Sequence, residues 1–130
     1  MARIFSVLMP KMGVASLDAN FISRDKAVVA AYINDPLNYT GKLRARWGME
    51  LLKTMNKLQS QISTLSLPIL IMQGTADRIS DPSSSKMLFD GVGSKDKTLK
   101  LYEGFYHEIF NEPERQQVFQ DMENWLKLHV

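Results

Sequence analysis

The sequence predicts an α/β protein in which a helical segment precedes a strand–helix–strand–helix unit. After about residue 62, short apolar runs alternate with amphipathic stretches, which is typical of strands and helices packed in layers. The run Leu67 to Met72 is apolar throughout, as expected for a strand covered on both faces. Before residue 62, apolar residues recur at helical spacing without strand-type alternation. We therefore divide the chain into segments 1–62 and 63–130.

The first segment is predicted to be mainly helical, with two helices and no visible strand alternation. One follows Ser23, which suits an N-cap, has an apolar face over residues 27–32, and stops at Asp35-Pro36. The other carries one apolar stripe, made of Met49, Leu52, Met55, Leu58 and Ile62. Residues 1–10 are predicted to form a helix or strand rather than a signal peptide, because no small-x-small cleavage site follows their apolar run.

The second segment is predicted to contain four elements. These are a strand at 68–73, a helix at 82–90, a strand at 98–102 and a helix at 113–128. Pro113 suits the first turn of the last helix, and Glu114 beside it suits the helix dipole. The apolar face of that helix consists of Val118, Met122, Trp125 and Leu126.

Composition narrows the class of protein. The chain has 16 Lys and Arg against 14 Asp and Glu, a net charge of +2 without a dense basic block, which argues against a nucleic-acid partner. It has no cysteine, so disulfide and thiolate chemistry are excluded for these residues. No run approaches the roughly 20 apolar residues that span a bilayer. We expect a cytoplasmic protein, with peripheral contact at a membrane as an added option.

Two turns each place one titratable side chain just after a predicted strand. Gly74-Thr75-Ala76-Asp77 follows the first strand, and Gly104-Phe105-Tyr106-His107 follows the second. If the strands are parallel, both turns lie on the same rim of the sheet. An acid that orients a histidine, and a histidine that moves a proton, are two of the three members of a nucleophilic hydrolase triad. The third is missing, because these 130 residues contain no Gly-x-Ser-x-Gly turn.

Other titratable residues near these turns have structural explanations. Asp81 is a rival acid, but it precedes Pro82 at a predicted helix start and suits an N-cap. His129 lies in the last helical turn, where the dipole favours a positive charge. Asp77, Asp81 and His107 make a poor metal site, since hard cations need more oxygen ligands and zinc needs more nitrogen or sulfur. We predict neither a metal nor a cofactor.

These motifs resemble the α/β-hydrolase superfamily and, within it, the monoacylglycerol lipase branch. Residues Leu67 to Arg78 are similar to the penultimate core strand and acid turn of that superfamily, and Asp96 to Glu108 are similar to its last strand and histidine loop. Ser23-Arg24-Asp25, Tyr32 and Asp35-Pro36-Leu37 match motifs in the helical cap of the lipase branch. The resemblance implies the C-terminal part of an α/β-hydrolase fold with a helical cap at 1–62.

The resemblance also implies a chemistry. It suggests a serine-type carboxylic ester hydrolase, most simply a lipase that converts a monoacylglycerol and water to glycerol and a fatty acid without a cofactor. His107 would be the general base and Asp77 the acid that orients it. Tyr32 would either contact the glycerol head group or pack over its helix. The nucleophile and the oxyanion hole would lie in an N-terminal half outside these 130 residues.

Alternatives to this interpretation stay open. One is a related carboxylesterase or lysophospholipase, and another is a non-catalytic fragment or partner-dependent module. Apolar cap residues such as Phe21, Ile22, Met49, Leu51 and Met55 would face the core, an acyl chain or a membrane, with the core favoured. The predicted partners are a lipid ester and, transiently, a membrane surface. The strand Leu67 to Met72 would need the missing half or an oligomer to cover its edge.

Overall fold

The computed structural model describes residues 7–129 as helices and strands joined by turns. The helices are α1 (Lys26–Asn34), α2 (Ala45–Gln59), α3 (Ser83–Gly91) and α4 (Arg115–His129). The strands are β1 (Gly13–Ala15), β2 (Leu43–Arg44), β3 (Ile69–Gly74) and β4 (Lys97–Tyr102). Short 3-10 turns lie at Ala19–Phe21, Ile62–Thr64 and Ile109–Asn111. The prediction for residues 1–10 falls largely on residues 1–6, which lie outside the described residues.

The second half of the chain has the predicted strand–helix–strand–helix order. Strands β3 and β4 are parallel and pair in register from Ile69 with Lys97 to Gly74 with Tyr102. Helix α3 lies between them in the chain and contacts both. This parallel pairing brings the ends of both strands to one rim, as the sequence predicted.

One cluster of buried apolar residues includes part of the turn that follows β4. Its members are Tyr102, Phe105, Ile109 and Val118, with Met72 packed against them. Helix α4 begins at Arg115, so Glu114 precedes the first turn instead of lying in it as predicted. The predicted apolar face of α4 is buried at Val118, whereas Leu126 near its end is exposed. Two members of this cluster, Phe105 and Ile109, lie after β4, so the histidine loop is packed into the cluster at both of these residues.

Two short strands lie within residues 1–62, where the sequence shows no strand alternation. Strand β1 pairs with β2 in an antiparallel arrangement, with Gly13 opposite Arg44 and Ala15 opposite Leu43. The two strands have only three and two residues, and β1 is exposed along its whole length. Alternation of apolar and polar residues is recognised over four to eight residues, so such short strands give no pattern in the sequence.

The start of α1 also differs from the prediction. Its N-cap is Asp25, whose side chain accepts a hydrogen bond from the Ala27 amide at 2.8 Å. Ser23 is buried, and its hydroxyl donates to the Asn111 carbonyl at 2.8 Å. That partner is 88 positions away in the chain, so the local pattern that suggested a cap could not reveal it. The helix ends at Asn34, as predicted.

The apolar stripe of α2 faces outward. Leu52, Met55 and Leu58 are each about half exposed. The expectation that apolar cap residues face the core is correct for Ile22, which is buried, and wrong for Leu51 and Met55. Over residues 7–129, no helix combines the length and the apolar character needed to cross a membrane.

Candidate active site

The turns that follow β3 and β4 are hydrogen-bonded to each other. The Thr75 amide donates to the Tyr102 carbonyl at 2.9 Å, and the Ala76 amide donates to the Phe105 carbonyl at 3.0 Å. In the opposite direction, the Gly104 amide donates to the Thr75 hydroxyl at 2.8 Å. These bonds leave little freedom for one turn to move against the other, and they place the side chains that follow next to each other.

Two glycines make this close approach possible. A Cβ atom on Gly74 would lie 2.3 Å from the Phe105 carbonyl oxygen and 2.5 Å from that of Tyr106, which is closer than nonbonded atoms can come. Gly104 has a φ of 74°, a left-handed conformation that glycine adopts most readily. In both turns, therefore, the backbone geometry requires the glycine that marks the turn in the sequence.

Asp77 and His107 form a hydrogen-bonded pair at the rim of the sheet. Nδ1 of His107 lies 2.9 Å from Oδ2 of Asp77. An ionised carboxylate only accepts hydrogen bonds, so Nδ1 carries the proton and Nε2 of the neutral ring keeps its lone pair. Asp77 is 6% exposed, whereas the His107 side chain is 37% exposed. The acid is thus shielded and the histidine is accessible.

Asp77 is held as a carboxylate by its hydrogen bonds. Burial by itself would raise its pKa, but the bond from His107 and those from the backbone amides of Ser80 and Ile79 outweigh burial and hold the pKa below its ordinary value. The two amides donate to Oδ1 at 3.0 Å and 2.8 Å. The side-chain amide nitrogen of Gln73 donates to Oδ2 at 3.3 Å.

Acidification is expected to remove the contribution of Asp77 to folding stability. Its pKa is lower in the folded state than in the unfolded state, where it is about 3.9. The contribution is therefore complete above that pH and is lost as the pH falls through the folded pKa. Urea unfolding of the wild type and Asp77→Asn at a series of pH values should show a gap in unfolding free energy that narrows below about pH 4. A gap that stays constant would contradict this assignment.

Asp81 and His129, the other acid and the other histidine considered in the sequence analysis, have structural partners. Asp81 was predicted to be the N-cap of α3, but that helix begins at Ser83 and its N-cap is Pro82, so Asp81 lies one position earlier. Its Oδ1 still accepts a hydrogen bond from the Ser83 amide at 2.9 Å, which gives Asp81 a structural role. The ring nitrogens of His129 face the Trp125 carbonyl at 2.6 Å and the Asp96 carboxylate at 3.0 Å, at the end of α4. Among residues 7–129, no three His, Asp or Glu side chains are grouped so that they could hold a metal ion.

Tyr32 lies in a surface recess beside the histidine loop. The recess has a volume of about 400 Å³ and is lined by Val28, Ala31, Tyr32, Asp35, Asn38, Glu108 and Asn111. Glu108 is the residue after His107, so the structure brings Tyr32 to the loop that carries the histidine. Tyr32 is half-buried on α1, which also agrees with the alternative that it packs over its helix.

The sequence analysis did not identify two buried residues that support the pair. Gln73 on β3 accepts a hydrogen bond from the Ser85 hydroxyl and donates to the Ser80 carbonyl at 3.1 Å, which fixes its amide beside Asp77. Glu112 is 0% exposed and accepts from the Tyr106 amide at 2.9 Å. A glutamate before a proline in a predicted loop carries no sign of burial, so only its partners in space reveal it.

Comparisons with known proteins match most of the chain. A family model described as serine aminopeptidase, S33 matches residues 1–114. A monoacylglycerol lipase of Mycolicibacterium smegmatis is 39% identical over 129 residues, covering 99% of this chain and 46% of that protein. The Bacillus subtilis phospholipase YtpA is 40% identical over 116 residues, covering 88% of this chain and 44% of that protein.

A solved structure has a fold similar to that of this chain. The crystal structure of a Paleococcus ferrophilus monoacylglycerol lipase superposes with a TM-score of 0.88 at 31% identity, over 99% of this chain and 51% of that one. The chain therefore spans about half the length of the relatives it matches.

Proposed function

Since the chain belongs to the serine aminopeptidase S33 family of the α/β-hydrolase superfamily, we propose that it carries the acid and the base of a serine ester hydrolase that acts on monoacylglycerols. The observation that carries the proposal is the 2.9 Å hydrogen bond between Asp77 and His107 at the rim of the parallel strands. The buried carboxylate and the accessible imidazole suit the two roles.

The proposed reaction proceeds in two halves. Nε2 of His107 takes the proton from a serine hydroxyl as the serine oxygen attacks the ester carbonyl, and Asp77 stabilises the imidazolium that forms. His107 then gives that proton to the departing glycerol oxygen, which leaves an acyl-enzyme. In the second half His107 takes a proton from water, which attacks the acyl group, and the serine recovers its proton as the fatty acid leaves. No step needs a cofactor.

The serine in this proposal comes from chain outside these 130 residues. They contain no Gly-x-Ser-x-Gly turn, and they span about half of each relative. The same outside portion would supply the backbone amides that stabilise the oxyanion, each worth about 3 kcal/mol of transition-state stabilisation. A non-catalytic, partner-dependent module is the alternative if such a portion is not joined to it.

The choice of a monoacylglycerol as substrate rests on the names of the relatives. The M. smegmatis relative is a monoacylglycerol lipase, whereas the B. subtilis relative, which has a similar identity over a shorter stretch, is a phospholipase. A carboxylesterase or lysophospholipase activity is therefore the second candidate. We assign residues 1–62 to a cap over the acyl pocket and Tyr32 to the head group, because Tyr32 lines the recess beside the histidine loop.

The outward face of α2 supports a further part of the proposal, a transient contact of the cap with a membrane surface. Trp47, Leu51 and Leu52 on this helix are exposed, and Arg44 and Arg46 flank them. Aromatic and apolar side chains next to basic ones are the combination that binds at a lipid interface.

The exposed apolar residues next to the sheet support the proposal that another portion of chain, or a second copy, covers it. Among the described strands β3 pairs only with β4. Leu67, just before β3, and Leu101, on β4, are both exposed. An open strand edge with apolar neighbours tends to pair with another chain.

Ester hydrolysis by two forms of the protein tests the function. One form is the 130-residue chain, and the other is a longer chain from the same gene that continues upstream through a Gly-x-Ser-x-Gly turn. With a short-chain ester reporter and monooleoylglycerol, we expect turnover by the longer chain only, because only it has a nucleophile for His107 to activate. A panel of carboxylic esters and lysophospholipids would then rank the alternatives.

The oligomeric state of the 130-residue chain in solution is measured beside its activity. We expect it to form oligomers, since a second copy is the available cover for the sheet edge. Turnover by the 130-residue chain alone would contradict the proposed division of the site. A monodisperse monomer with a cooperative melting transition would contradict the proposed role of the edge.

A further inference from the structure

Glu112 is a fully buried carboxylate five positions after His107. Its side chain is 0% exposed. Oε1 accepts hydrogen bonds from the amides of Tyr106 at 2.9 Å and Arg24 at 3.1 Å, and Oε2 accepts from Nε of Arg24 at 2.6 Å. Burial of a charge is costly unless it is paired and hydrogen-bonded, so the position of Glu112 needs an explanation beyond surface solvation.

Arg24 joins this carboxylate to the aromatic core. Its guanidinium carbon lies 4.9 Å from the centre of the Phe105 ring, and Phe105 is a buried residue of the histidine loop. A second nitrogen of the same guanidinium pairs with Glu114, whose side chain is 54% exposed. Arg24 therefore contacts one buried and one exposed carboxylate, and only the buried one also binds the histidine loop.

The segment before α1 is attached to the histidine loop at several successive points. Besides the Arg24–Glu112 pair, the Glu108 amide donates to the Ile22 carbonyl at 2.8 Å, and the Ser23 hydroxyl donates to the Asn111 carbonyl at 2.8 Å. His107 lies between Tyr106, which is held by Glu112, and Glu108, which is held by Ile22. Its backbone is thus fixed on both sides by contacts that involve the first segment.

We propose that Arg24 and Glu112 are a positioning pair that holds the histidine loop so that Nδ1 of His107 meets Asp77. Because Arg24 belongs to segment 1–62, this geometry then depends on the position of the cap. The proposal rests on the proposed function in that His107 is taken as the base. If the Tyr106 amide loses its acceptor, the loop keeps its bond from the Ala76 amide to the Phe105 carbonyl on one side. On the other side it keeps the bonds from the amides of His107 and Glu108 to the carbonyls of Phe21 and Ile22. The residue directly before His107 then has no buried anchor. The ring of His107 then loses its fixed orientation toward Asp77, although neither member of the pair touches the imidazole.

The test compares Glu112→Gln with the matched control Glu114→Gln. The two glutamates contact the same guanidinium, but Glu112 is surrounded by donors alone. In either orientation, the side-chain amide introduced by Glu112→Gln places its protons against a donor, either the Arg24 guanidinium or the backbone amides of Tyr106 and Arg24. These 130 residues contain two histidines, so ¹⁵N-histidine NMR of the 130-residue chain resolves His107, with His129 as the internal reference. We expect the Nδ1–H signal of His107 to be lost or shifted toward the other tautomer in Glu112→Gln, and unchanged in Glu114→Gln. The His129 signals should not change in either variant.

Kinetics of the active longer chain give the second measurement. Because displacement of a catalytic group by about 1 Å costs about 100-fold in rate, we expect Glu112→Gln to lower kcat by about that factor with little change in KM. Glu114→Gln should keep wild-type kcat. Arg24→Lys serves if Glu112→Gln does not fold, since it keeps the charge but loses the planar donor set, and it should shift the same His107 signal.

The outcomes separate this proposal from the proposed function. If Glu112→Gln lowers the melting temperature but leaves the His107 signals and kcat equal to those of Glu114→Gln, the pair only stabilises the fold and the positioning role is overturned. That role is overturned as well if Arg24→Lys leaves the His107 signals unchanged. If the signals shift while the wild-type longer chain hydrolyses no ester, the positioning role stands and the proposed function fails.

Discussion

Replacing His107 with alanine is expected to lower kcat for ester hydrolysis by about 10⁶-fold in the longer, active chain, because a serine hydroxyl cannot attack an ester at neutral pH without a base. Asp77→Asn should lower kcat less, by about 10⁴-fold, since the histidine remains but its orientation and its imidazolium form lose their support. Initial rates with monooleoylglycerol at saturating substrate measure both effects. The order of the two losses distinguishes a base from the acid that orients it.

His129→Ala is the matched control, since it removes the other histidine of these 130 residues. His129 is bonded to Trp125 and Asp96 at the end of α4. We expect kcat close to that of the wild type. Hydrolysis that survives His107→Ala would mean that another group is the base. A loss of activity in His129→Ala that matches the loss in His107→Ala would point to a general effect on folding.

Gly74→Ala is expected to reduce the free energy of unfolding by about 3 kcal/mol, the upper end of the usual effect of overpacking. The added Cβ would lie 2.3 Å from the Phe105 carbonyl oxygen and 2.5 Å from that of Tyr106. These atoms belong to the backbone of the histidine loop, so no side-chain rotation can relieve the clash. The loop must move away from Asp77, and we expect activity to fall together with stability. Urea unfolding measures the first effect and ester hydrolysis the second.

Gly48→Ala provides the control for this substitution. Gly48 lies inside α2, and a Cβ atom there would meet no atom within 4 Å. Since alanine is the better helix former, the change should stabilise the protein by up to about 1 kcal/mol. Equal effects of the two substitutions would show that the contact between the turns is looser than the structure indicates.

The sequence predicted those parts of the fold that depend on neighbours in the chain. The bounds of β3, β4, α3 and α4 differ from the predicted ones by at most two residues. Their patterns extend over six residues or more, long enough for apolar periodicity to be visible. Strands β1 and β2 were missed because three and two residues carry no such pattern. The N-cap of α1 was misplaced because Ser23 has a distant partner.

The sequence by itself determined the Asp77–His107 pair, because each residue follows a glycine turn at the end of a strand and parallel strands end on one rim. Only the tertiary structure decided what surrounds that pair. Arg24 and Glu112 are 88 positions apart, and the carbonyl oxygens that require Gly74 belong to another loop. Local propensities act over a few residues, whereas these contacts depend on the path of the whole chain. For that reason the candidate reactive residues could be read from the sequence, and the residues that hold them in place could not.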